Sequence, residues 1–166
     1  MTADAALVDA GLRAWQGAVE RSDIFLRALT DAQLRTPVAP GRNRLVYLWG
    51  HLIAVHDRML PLLGAGDRLH PELDEAYLSK PDDPAARLHS AAELAPMWAE
   101  VNAALWAAME RWTADDWAAR HTAVTAEQFH AEPHRNRFSV LLSRTAHLAS
   151  HQGQMILAMP RSSTHG

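Results

Sequence analysis

Two histidines, His147 and His151, stand four positions apart near the end of the chain, in the stretch Ser139 to Ala158 (SVLLSRTAHLASHQGQMILA). On a helix that spacing stacks both imidazoles on one face, close enough to hold a single metal ion. The stretch reads as a helix. Val140, Leu141, Leu148, Met155 and Ala158 recur near the 3.6-residue period, Ser139 is placed to cap the start, and Pro160 follows the end. Arg144, His147, His151 and Gln154 form a second stripe beside the apolar one. Several polar side chains aimed the same way are costly to bury unless something satisfies them together. Core histidines bonded to neighbouring groups are the alternative reading. Gly153 costs about 1 kcal/mol against alanine in mid-helix, which close approach of a ligand or a second helix would explain.

An open site for a divalent ion takes three protein ligands and leaves room for water. The chain has no cysteine, so the third ligand must be His, Asp or Glu. The second helix offers His51 and His56, five residues and so about 140° apart around the axis, and only one can face the ion. His56 falls with Trp49, Leu52 and Met59, and His51 with Leu48 and Val55; spacing does not choose between them. Other catalytic designs are missing. Leu148 follows His147, which removes H-E-x-x-H, and there is no G-x-S-x-G. The Gly64-Ala65-Gly66 stretch has no P-loop lysine beside it, because Lys80 is the only lysine in the chain.

Four helices must position these residues. The first spans about Asp4 to Leu29, with Leu7, Gly11, Ala14, Trp15, Ala18, Phe25, Leu26 and Leu29 inside. The second spans about Arg44 to Leu63, with a bend expected before Pro61, and the third Ser90 to Trp112. Ser90 and Glu93 fit a capping box, while Pro96 argues for regular helix only from about Ala95. The fourth holds the histidine pair. Between the second and third lies a Pro-rich polar stretch, Asp67 to His89, read as a long loop with one short helix and with Asp82-Asp83 as a solvated charge pair. A second long connection runs from Thr113 to Arg137. No strand is apparent, so the expectation is an all-α four-helix bundle with long connections, a single domain over residues 1–166.

The halves repeat one another. Thr30-Asp31-Ala32-Gln33-Leu34 follows helix one as Thr113-Ala114-Asp115-Asp116-Trp117 follows helix three. Asn43-Arg44-Leu45 opens helix two as Asn136-Arg137-Phe138 opens helix four. This suggests pseudo-twofold character, with the second helix of each half presenting histidines to the other.

Composition narrows the partners. A formal charge of -3 and a pI near 6.3 give no reason to expect nucleic acid or an anionic membrane. No 18-residue apolar stretch spans a membrane, and the amphipathic start MTADAALVDAGLRAWQG is not a signal peptide, so a cytoplasmic protein is expected.

HLIAVH (His51 to His56) and HLASHQGQ (His147 to Gln154), in this order on helices two and four, resemble the DinB/YfiT-like superfamily of metalloenzymes, and the resemblance covers essentially the whole chain. It implies that His51, His147 and His151 bind a divalent ion and that His56 is a packing or supporting residue. Imidazole ligands suit zinc or nickel, then manganese or iron, and the resemblance implies a homodimer, for which Trp106 off the helix-three stripe is a candidate surface. It also implies an enzyme acting on a small-molecule substrate, either a hydrolase or an S-transferase using a low-molecular-weight thiol such as bacillithiol or mycothiol. A non-catalytic metal-binding or stress-associated module is the alternative. Arg144 and Gln154 are the candidate cosubstrate-binding residues, and His130 and His134, in the loop before helix four, are read as solvated loop histidines, with a place at the mouth of the site as the alternative.

Overall fold

The computed structural model describes residues 2–159, and Pro160, the expected stop of the last helix, lies outside them. Eight helices follow in order: α1 (Ala3–Arg27), α2 (Asp31–Leu34), α3 (Leu45–Leu63), α4 (Leu73–Tyr77), α5 (Ala91–Met109), α6 (Ala114–Ala118), α7 (Ala126–Ala131) and α8 (Arg137–Ala158). Among the described residues no strand forms, so the all-α expectation holds. The four long helices carry the core, with α1 packed along α8, α3 along α5, and α3 also against α8. Among the described residues no helix is long and apolar enough to cross a membrane.

Local chemistry sets the ends. Thr2 caps α1, accepting from the Ala5 N–H at 3.2 Å. Glu93 accepts from both the Ser90 N–H and hydroxyl at 2.7 Å, and α5 runs from Ala91 straight through Pro96; the reciprocal cap outweighs the proline that suggested a later start. Helix α3 likewise passes through Pro61 and stops at Gly64, whose φ of 70° is the left-handed conformation that glycine adopts without strain. Helix α8 starts two residues before Ser139. Its cap is Asn136, whose Oδ1 accepts from the Ser139 N–H at 2.9 Å.

The buried face of α1 is Gly11, Trp15, Ala18, Ser22 and Leu26. Leu7 and Ala14, expected inside, face out, because α8 begins opposite Gly11 and the covered stripe lies one position further round the helix. A Cβ on Gly11 would meet the Phe138 ring at 2.6 Å, and one on Gly50 would overlap the Tyr77 ring. These two glycines bring α8 onto α1 and α4 onto α3. Gly153 has nothing within 4 Å of such a Cβ, so no element among the described residues explains it.

Two carboxylates fasten the connections to α3. Asp57, fully buried, accepts from Arg68 Nε at 2.6 Å and from the Leu69 and His70 N–H groups at 2.7 and 3.1 Å. Asp82 is not solvated as its composition suggested. Its side chain is 3% exposed, and it accepts from the Arg44 N–H at 2.7 Å and from the Arg44 guanidinium at 2.6 Å. It therefore satisfies an orphan donor at the start of α3 that Arg44 itself does not cap. Asp83, its neighbour, stays exposed.

The internal likeness survives folding. Thr30 and Gln33 of α2, and Thr113 and Asp116 of α6, form matching capping boxes. One isolated antiparallel bridge precedes each histidine-bearing helix, Pro37 to Arg44 and Arg120 to Asn136.

Candidate metal centre

Helix α3 is apolar nearly all round, and most of its side chains are buried. His51 is one of the few that are not, and its ring meets α8 there. His51 Nε2 lies 3.2 Å from His147 Nε2, and His151 Nε2 lies 3.1 Å from the same atom. The three ring centroids are 4.5 to 5.2 Å apart, and one ligand atom from each ring lies within 4.8 Å of the others. Among the described residues no other group of three His, Cys, Asp or Glu side chains converges in this way.

The outer nitrogens decide what the inner ones can be. His51 Nδ1 lies 3.0 Å from the Tyr77 carbonyl, and His151 Nδ1 lies 3.0 Å from Gln154 Oε1. Both oxygens accept, so both Nδ1 atoms carry the proton and both Nε2 atoms present bare lone pairs inward. His147 Nδ1 is buried without a partner. A proton on His147 Nε2 would serve one of the two facing lone pairs and leave the other unmatched. A shared cation would satisfy all three nitrogens at once, so these residues fit a divalent ion.

The electrostatics agree with neutral donors. Burial, then the neighbouring His151, His51 and Arg144, push His147 down to about 4. Burial also lowers His51, partly offset by the Tyr77 carbonyl. A ligand histidine must be unprotonated, so depressed values keep the donors ready below neutral pH.

The remaining histidines fall elsewhere. His56 is fully buried between Trp15 and Trp98, with ring centroids 4.6 and 5.1 Å away, and its Nδ1–H donates to Asn102 Oδ1 at 2.9 Å. Asn102 is fixed in turn by donating to the Trp98 carbonyl at 2.7 Å. His130 is exposed, and His134 borders a cavity on the Arg144 side of α8. Arg144 forms no ion pair among the described residues, although its charge disfavours protonation of His147 and His51. Trp106 is only partly buried, whereas Trp15, Trp49 and Trp98 are core. Beside His151 a groove of about 510 Å³ opens between Val38, Leu48 and Leu157, with Arg42, Asn43 and Gln154 as its polar groups.

Sequence reasoning missed Tyr77. Its ring packs on Gly50, its hydroxyl lies 2.8 Å from His89 Nδ1, and its carbonyl fixes the His51 ring. A glycine directly before a candidate ligand was the available signal.

His56 gives a test by pH. Burial lowers it to about 3, so below pH 6.5 the unfolded chain takes up a proton that the folded chain refuses. Stability contributed by neutral His56 is complete above 6.5 and declines as pH falls towards 3. By pH 5 the loss is about 2 kcal/mol, and urea unfolding of wild type and His56→Phe should show it as a gap that narrows with acid. A gap constant from pH 7 to 5 would mean that His56 is not held neutral.

The family follows from the whole pattern. No curated protein matches the sequence, but the sequence model of the DinB superfamily matches residues 14–155, a span that includes α3, most of α8 and all three converging histidines. The chain belongs to the DinB superfamily.

Proposed function

We propose that the chain is a divalent-metal-dependent enzyme of the low-molecular-weight-thiol S-transferase type, with His51, His147 and His151 as ligands. One observation carries the reading: three Nε2 atoms converge while two of the outer nitrogens are committed to oxygen acceptors. When bound, a divalent ion on three neutral imidazoles keeps its full charge and open positions, which lowers the pKa of a coordinated thiol or water. Zinc and nickel suit an imidazole set best, and manganese or iron are further candidates.

The chain's own residues do the rest. The Tyr77 carbonyl and Gln154 hold two ligand rings in the donor tautomer. The groove beside His151 has the size of a small-ligand site, with apolar walls and few polar groups. Among the described residues no carboxylate lines it, which favours a thiol over water as nucleophile. A free thiol, with a pKa near 8.5, needs far less help to ionise than water does.

Metal analysis of untagged protein, followed by thiol-dependent consumption of a model electrophile, tests the proposal. Wild type should carry about one ion per chain and turn over with bacillithiol or mycothiol. His147→Ala should lose both, and Gln154→Ala should weaken metal binding by about tenfold. Metal-loaded protein that accelerates neither thiol reaction would rule out the transferase, leaving a binding module.

A homodimer belongs to the same proposal. Leu142, Ala146, Ala149, Gly153 and Ile156 lie exposed on α8 at alternating four- and three-residue steps, on the far side from the histidines. That is the spacing of a helix–helix seam, and small residues allow close approach. Light scattering should give about twice the 18.4 kDa chain mass, and Gly153→Glu should give the single-chain mass. A wild-type protein running as one chain would contradict this.

A further inference from the structure

A second cavity, of about 320 Å³, lies along the N-terminal half of α8, walled by Leu62 of α3 and by the segments before α7 and α8. Its lining among the described residues includes His121, His134, Arg135, Ser139, Ser143 and Arg144, and no carboxylate. Thr122 closes the wall by bonding back to α3, its N–H donating to the Leu62 carbonyl at 3.0 Å and its hydroxyl to the Pro61 carbonyl at 2.9 Å. Arg135 is spoken for by Glu132 at 3.1 Å.

Among the described residues Arg144 has no ion-pair partner. Its Nε is buried without a hydrogen-bond partner, and His121 Nδ1 in the same cavity is in the same state. An arginine cannot shed its charge, and an unpaired buried donor on a guanidinium costs more than one on a neutral group. A guanidinium without a carboxylate partner, lining a cavity that the Ser139 and Ser143 side chains also border, calls for an acidic ligand. A guanidinium edge presents two parallel N–H groups, which match the two oxygens of a carboxylate.

We propose that this cavity is an anion subsite that binds the carboxylate of a small organic acid, with Arg144 as its anchor and His121, Ser139 and Ser143 as further polar contacts. Arg144 stands one helical turn before His147 and its charge is felt by His147 and His51, so the subsite adjoins the metal centre. Resting on the transferase reading, this makes the electrophilic substrate an organic acid whose carboxylate is held one turn from its reacting carbon. Carboxylate binding itself does not depend on that reading.

Titration with sodium succinate and, separately, sodium phosphate at constant ionic strength tests the subsite, following the Arg144 Nε–H and His121 ring resonances. In wild type, succinate should shift both saturably and bind more tightly than phosphate. Arg144→Gln should weaken succinate binding by about ten- to a hundredfold, and Arg144→Lys, which keeps the charge but loses the fork, should fall between. His147→Ala, which removes the metal centre, should bind succinate unchanged. Unaltered binding in both Arg144 variants would overturn the proposal. Loss of binding in His147→Ala would also overturn it, placing the anion on the metal instead. Tighter binding of phosphate than of succinate would overturn the carboxylate assignment.

Discussion

Three imidazole nitrogens pointing at one another are not a stable arrangement of neutral groups unless something positive lies among them. In this protein the outer nitrogens of His51 and His151 are tied to a carbonyl and an amide oxygen, so their inner lone pairs cannot be relieved by changing tautomer. A single proton on His147 serves only one of them. The rest of the structure can be understood as what is required to hold that arrangement. Its energetic cost is the reason to expect a cation, more than any single distance.

The supporting architecture acts mostly through α3. Asp57 and Asp82 anchor the loops on either side of α4, so that α4 lies against α3 with the Tyr77 ring on Gly50 and its carbonyl beside His51. Helix α8 is drawn towards the centre by Gly11 at its first turn and by Leu141, Leu148 and Met155 along its length. Each of these contacts is packing or hydrogen bonding of an ordinary kind. Together they bring side chains 96 positions apart in sequence to within 3.2 Å.

Long helices with apolar stripes were legible in the sequence because periodicity and caps are local. The capping box at Ser90, the stop at Gly64 and the facing histidines on α8 all follow from residues within a few positions. The choice between His51 and His56 was not legible from spacing. It depends on which side of α3 meets α8, and α3 is apolar enough to be buried almost everywhere. His56 is explained by Asn102, 46 positions away on α5, and Asp82 by Arg44, 38 positions away, pairings that no local pattern announces. Leu7 was misplaced because a stripe shows which residues lie together, not where the partner helix begins. Arg144 was placed beside the histidines by its stripe, but that no carboxylate among the described residues pairs with it is visible only in the folded chain.

The most direct measurement is anomalous diffraction at the absorption edges of zinc, nickel, manganese and iron on crystals of untagged protein. One strong peak per chain, bounded by the Nε2 atoms of His51, His147 and His151, is the result this account predicts. Density showing the three rings hydrogen-bonded to protein or water, with no anomalous scatterer between them, would contradict it.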